Sequence, residues 1–94
     1  MDYQCLADFC KVLSNPVRLK IITCLSQNPC CVNELVCCTR QRQAYISQQL
    51  MYLRSKGWVD FQKDGVMVFY HLADTRQTKL MKFLITEAGL QNDS

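Results

Sequence analysis

Between Gly57 and Leu72 the spacing of apolar residues changes from a helical repeat to strict alternation, and that change limits the possible folds more than any other feature of the chain. Val59-Asp60-Phe61-Gln62-Lys63, an Asp64-Gly65 turn and Val66-Met67-Val68-Phe69-Tyr70-His71-Leu72 read as two strands joined in a β-hairpin, because Asp-Gly suits the favoured two-residue turn. Everything before Gly57 carries the other period. Apolar side chains there recur every third or fourth residue, as on one face of a helix.

Four helices fit the first part. Tyr3 to Leu13 carries Leu6, Phe9, Cys10 and Leu13 at helical spacing. Asn15-Pro16 is a helix start, with a capping side chain before a proline at the first helical position, and Val17, Ile21, Ile22 and Leu25 make its apolar face up to about Gln27. Val32 to Cys38 predicts a short third helix, followed by a polar turn at Thr39-Arg40-Gln41. From Arg42 to Lys56 the stripe Ile46, Leu50, Leu53 faces inward while Arg42, Gln43, Ser47, Gln48 and Met51 lie off it, and Gly57 is placed to end the helix. After the hairpin, Thr75 to Ala88 predicts a fifth helix with Leu80, Phe83 and Leu84, closed by Gly89. The expectation is a mainly α domain over residues 1–94, with five helices and two strands.

Size and charge narrow the function. Ninety-four residues form one modest core and are too few for a deep catalytic cleft. The net charge of +3 says little, but between Thr39 and Lys63 five bases (Arg40, Arg42, Arg54, Lys56, Lys63) stand against one acid, Asp60. That local excess suits a phosphate backbone. No apolar run approaches the roughly 20 residues that span a bilayer. The start MDYQCLADF lacks the basic and apolar regions of a signal peptide, so a cytoplasmic protein without membrane partners is expected. Seven cysteines, an odd number, then predict reduced thiols rather than a disulfide scaffold.

Two short helices joined by a tight turn, the second longer and polar on one side, then a hairpin, make a winged helix-turn-helix arrangement. A helix fits the major groove of duplex DNA, where glutamine amides pair with adenine and arginine reads guanine or clamps phosphate. Gln43, Ser47 and Gln48 are the candidate base readers; Arg40, Arg42, Arg54 and Lys63 are the candidate phosphate contacts. Tyr45 and Tyr52 suit either packing or phosphate donation.

The chain resembles the ArsR/SmtB family of repressors in four segments in order. These are Leu13-Ser14-Asn15-Pro16-Val17-Arg18-Leu19-Lys20-Ile21, Cys31-Val32-Asn33-Glu34-Leu35, Ile46-Ser47-Gln48-Gln49-Leu50 with Leu53-Arg54, and the wing positions Gly65, Val68, Tyr70 and Leu72. The resemblance implies a homodimer joined through the first and last helices, with Phe9, Leu80, Phe83 and Leu84 as interface candidates, a palindromic operator, and release of DNA when an inducer binds. Gln48 stands where many relatives carry histidine and Arg42 where they often carry a serine cap, so no operator sequence carries over.

The family's metal sites match only in part. The last-helix site needs aspartate and histidine, and residues 74–94 contain no histidine or cysteine. Cys31 sits at the first cysteine of the third-helix site, but Asn33 replaces the second. Cys30, Cys37 and Cys38 lie near, and Cys5 and Cys10 of a partner subunit are further candidates. Soft thiolates suit arsenite or a soft divalent metal. The same thiols suit a redox or polysulfide trigger. Cys24, among Ile21, Ile22 and Leu25, reads as core filler and the single His71 as packing or surface. A winged helix that binds protein instead would carry an acidic or apolar fourth helix. An enzyme is not expected: paired carboxylates, a phosphate loop and Cys-x-x-Cys are all missing.

Overall fold

Helix starts and stops follow local chemistry closely. In a computed structural model, which describes residues 2–90, the order is α1 (Tyr3–Val12), α2 (Pro16–Gln27), α3 (Val32–Thr39), α4 (Gln43–Ser55), β1 (Val59–Asp64), β2 (Met67–Leu72) and α5 (Arg76–Ala88). Asn15 caps α2 as expected, its Oδ1 accepting the N–H groups of Val17 and Arg18 at 2.8 and 3.2 Å. Asp2 does the same for α1, accepting the Cys5 N–H at 2.8 Å, and that bond holds its carboxyl below the usual range. Thr75 and Thr78 form a reciprocal cap on α5.

The wing is a two-stranded antiparallel sheet, with Val59 opposite Leu72 and Asp64 opposite Met67. Its turn is therefore Gly65-Val66, one residue later than the Asp64-Gly65 expected. Gly65 takes φ +62°, which suits glycine at the first turn position. The sheet is also extended by a bridge that local pattern does not announce. Cys30 donates its N–H to the Tyr70 carbonyl at 2.9 Å and accepts the Tyr70 N–H at 2.7 Å, tying the α2–α3 link to β2.

The core gathers Ile21, Ile22 and Leu25 of α2, Leu35 of α3, Ile46, Leu50 and Leu53 of α4, and Met81 and Ile85 of α5 around Trp58. Each such aliphatic side chain contributes about 1.5–3 kcal/mol on full burial. Trp58, between α4 and β1, is 1% exposed and stacks on Phe9 with ring centroids 5.5 Å apart. Phe9, expected at a subunit interface, is thus a core residue that docks α1. No helix among the described residues is long and apolar enough to cross a membrane.

Candidate nucleic-acid interface

The roll of α4 is set by its three buried residues. Ile46, Leu50 and Leu53 are all essentially inaccessible, and at about 100° per residue the opposite side of the helix is Ala44, Gln48 and Met51. All three are exposed, with Met51 at 73%. Gln43 is exposed at the shoulder of this face and Ser47 is half-buried there. Ala44 and Met51 are additions to the expected reading set; a helical wheel centred opposite the apolar stripe finds both.

The other shoulder of α4 faces α2 and is occupied. The Asn15 Nδ2 donates to the Tyr45 hydroxyl at 3.3 Å, and Arg18 donates to Gln49 Oε1 at 3.3 Å. The Arg18 guanidinium also lies 4.6 Å from the Tyr52 ring centroid and donates to the carbonyls of Val12 and Lys11 at 2.9 and 3.1 Å. Tyr45 and Tyr52 are thereby placed as docking residues. Arg18 ties the end of α1 to α2 and α4 through a single side chain, a role that a motif match alone does not reveal.

Among the basic candidates, Arg40, Arg42 and Lys63 are exposed. Arg40 closes α3 in the left-handed region at φ 57°, which costs a branched or long side chain about 1–2 kcal/mol relative to its right-handed form. Arg42 stands at the N-cap of α4 and makes no side-chain cap bond, so the first turn of that helix keeps donors unclaimed by its own cap. Arg54 is differently placed. Its Nε lies 3.4 Å from Asp60 Oδ1 and its guanidinium 4.4 Å from the Phe61 ring centroid, which braces α4 against β1 and offsets its charge. Lys63 sits one residue before Asp64, near a wing tip where Val66 is 98% exposed.

The cysteines do not gather as expected. Both vicinal pairs split: Cys37 and Cys38, consecutive in α3, point about 100° apart, whereas Cys30 and Cys31 lie in extended backbone ahead of that helix, where successive side chains point to opposite sides. Cys30 is buried, its Sγ 3.3 Å from the Asn28 carbonyl. Burial, with Glu34 and Cys31 adding, pushes its thiol above the usual range. Cys31 is half-buried at the α3 N-cap and donates its backbone N–H to Glu34 at 3.1 Å, which keeps Glu34 in its charged form. Cys37 is exposed, whereas Cys38 is bonded through sulfur to Cys24 across α2 and α3. The expectation of reduced thiols, with Cys24 as plain core filler, is corrected on this point. Cys24 is buried, but as half of a disulfide. Cys5 and Cys10 lie exposed on α1, and the nearby Asp2 raises the Cys5 thiol. Among the described residues no three or more His, Cys, Asp or Glu side chains come together to hold a metal ion. Within one chain the arsenite or soft-metal constellation therefore does not fit. His71, half-buried on β2, points its Nδ1 toward the Leu72 carbonyl at 3.1 Å.

Residues 15–60 match the family model for bacterial regulatory proteins of the arsR family. The chain is 32% identical over 79 residues to the transcriptional repressor SmtB homolog of Synechocystis sp., covering 84% of this chain and 60% of that protein. It superposes on the crystal structure of the transcriptional repressor BigR from Xylella fastidiosa with a TM-score of 0.84 at 32% identity, covering 92% and 87% of the two chains. The homodimeric winged helix-turn-helix DNA-binding domain of Mb0332 from Mycobacterium bovis gives a TM-score of 0.78 at 26% identity, covering 92% of this chain and 80% of that one. The chain spans about three fifths of the length of the first curated relatives it matches.

Proposed function

The chain belongs to the arsR family of bacterial regulatory proteins, and from that premise we propose that it is a dimeric repressor that reads duplex DNA with α4 and the wing. The observation that carries this reading is the division of α4 into one buried stripe, one shoulder docked on α2, and one exposed face bearing Ala44, Gln48 and Met51 with Gln43 and half-buried Ser47 at its shoulder. An exposed helix face of that composition, flanked by Arg40 and Arg42, suits a major groove and its phosphates. Lys63 and the wing tip extend the contact to the flanking backbone.

Dimerisation is supported by the exposed side chains of the terminal helices. Tyr3 and Leu6 on α1, Phe83 and Leu84 on α5, and Leu90 just beyond leave an apolar surface that the monomer does not cover. Two copies related by a twofold axis would bury it and space two α4 helices for a palindromic site. Control of binding falls to the cysteines. A soft-metalloid trigger would need thiols from both subunits, because those of one chain diverge; a redox trigger needs only the pair that is already joined.

The test is selection of duplexes from a randomised pool on the purified protein, followed by affinity measurements on the enriched sequence with parent and Gln48→Ala. A discrimination against mismatched sequences that falls by about 1–3 kcal/mol in the variant supports α4 as the reader. No enriched sequence, or unchanged discrimination, defeats the reading.

A further inference from the structure

The one cross-link among the described residues joins two helices of the reading head itself. Cys24 lies within α2, 7% exposed between Ile22 and Leu25, and Cys38 lies half-buried in the last turn of α3, 14 residues away in sequence. We propose that Cys24 and Cys38 form a reversible dithiol–disulfide couple, exchanged by low-molecular-weight thiols and their disulfides, that holds α3 and α4 on α2 in the arrangement that reads DNA. The chemistry of the couple stands by itself; its consequence rests on the DNA-reading role above.

Cys38 is two residues before Arg40, whose left-handed backbone turns the chain into α4. Whatever fixes the last turn of α3 therefore fixes where α4 begins. Among the described residues the polar ties that hold α4 on α2 and its cap are two hydrogen bonds at 3.3 Å, Asn15 to Tyr45 and Arg18 to Gln49, together with the Arg18–Tyr52 ring contact. The covalent strut is the one tie that the surrounding redox poise can make or break. In the cross-linked form the candidate readers Gln43 and Gln48 already stand outward. A head held in that arrangement loses less conformational freedom on DNA than one whose α3 end is loose.

Exposure sets the order of steps. A small thiolate attacks the Sγ of Cys38, the less buried of the two residues, the S–S bond breaks, and its electron pair leaves on Cys24 Sγ, which takes up a proton. A second small thiolate attacks the small-molecule sulfur of the mixed disulfide. That releases the small disulfide and a Cys38 thiolate, which is protonated in turn. The protein disulfide has gained two electrons and two protons, and two small thiols have become one disulfide. Oxidation by an excess of the small disulfide runs the same steps backward.

The experiment uses reduced and oxidised glutathione as the probe, on the full chain with Cys5, Cys10 and Cys37 replaced by serine. Samples equilibrated at graded ratios are quenched with acid, alkylated and mapped by mass spectrometry. The expected result is a reversible Cys24–Cys38 link, with amide exchange over residues 36–42 about fivefold faster once it is reduced and affinity for the selected duplex about tenfold weaker. A Cys24→Ala variant, which replaces one small buried side chain by another, should trap glutathione on Cys38, whereas Cys38→Ala should trap none on Cys24. If either variant fails to fold, the parent titration and its amide exchange still decide the matter. The proposal is overturned if the folded protein keeps both thiols free in excess oxidised glutathione, if the link changes neither exchange nor affinity by more than about twofold, or if the reduced form binds more tightly. A pool that yields no enriched duplex defeats the DNA-reading role instead, and leaves the mapping and exchange arms to judge the couple.

Discussion

The reading head, α2 to α4, and the terminal helices, α1 and α5, solve the surface problem in opposite ways. On the head, almost every large apolar side chain is turned inward, with Met51 the exception, and what remains outside is mostly polar or charged, including Lys20, Glu34, Arg40, Arg42, Gln43 and Gln48. On the terminal helices, one apolar set reaches the core through Phe9, Met81 and Ile85, and a second set, Tyr3, Leu6, Phe83 and Leu84, faces away from it. A helix with apolar residues on two sides is built to be covered twice. The difference teaches that the head is finished by a wet, charged partner and the terminal helices by another apolar surface, which is how one small domain serves both assembly and recognition.

The strongest way to break this comparison is to charge the second apolar set. Leu84→Glu should leave the fold intact, because Leu84 is partly exposed already, and separate the subunits at micromolar concentration by sedimentation. Affinity for a palindromic duplex should then fall on the order of a hundredfold, since the second half-site no longer binds as part of the same molecule. An unshifted sedimentation profile with normal DNA binding would place the interface elsewhere.

Next in size is the joint between the two regions. Arg18 bonds two carbonyls at the end of α1, one amide of α4 and the Tyr52 ring. Arg18→Met keeps the stem and deletes those bonds, so about 2–3 kcal/mol of folding stability should be lost in urea unfolding. Duplex affinity should drop as well, because the α2 shoulder of α4 is no longer held. A stability change below about 0.5 kcal/mol would mean that the cluster is solvated rather than structural.

How much of this was legible in the sequence follows from how far each signal reaches. Element boundaries were readable because caps are local: Asn15-Pro16 and Gly89 act on their own helices, and the observed ends differ from expectation by at most one residue. The inward stripe of α4 was readable for the same reason. What failed crosses between elements. Periodicity puts Phe9 on an apolar face but cannot say that Trp58 occupies that face first. It puts Arg54 on the surface but cannot show Asp60 and Phe61 waiting across the turn. Cys24 and Cys38 sit on separate helices whose relative roll no single-helix pattern supplies, so their meeting could not be read. The Cys30–Tyr70 bridge joins backbone groups and leaves no side-chain signature.

Smaller effects separate the phosphate contacts from the brace. Lys63→Ala should weaken all duplexes alike and reduce the salt slope by about one, as for any lost phosphate contact. Arg54→Ala should change the slope less, because Asp60 already offsets its charge, and should instead cost up to about 1 kcal/mol of stability through the lost contact with Phe61. Equal slopes for the two variants would put Arg54 among the phosphate contacts after all.

The smallest expected change in stability is at Arg40, and it is the one that tells strain from charge. Its left-handed backbone costs a non-glycine residue about 1–2 kcal/mol, whereas glycine there gains freedom in the unfolded chain that costs about 0.4–1 kcal/mol on folding. Arg40→Gly should therefore be more stable than Arg40→Ala by about 0.5–1 kcal/mol, since alanine keeps the strain and glycine sheds it. Both variants lack the guanidinium, so if Arg40 serves as a phosphate contact alone, both should weaken duplex binding equally and lower the salt slope by about one. If Arg40→Gly binds distinctly worse than Arg40→Ala despite its greater stability, the turn's rigidity is what counts, because a glycine hinge loosens the same joint that the Cys24–Cys38 link holds. Urea unfolding and salt-dependent affinity, measured on the two variants side by side, decide between these outcomes.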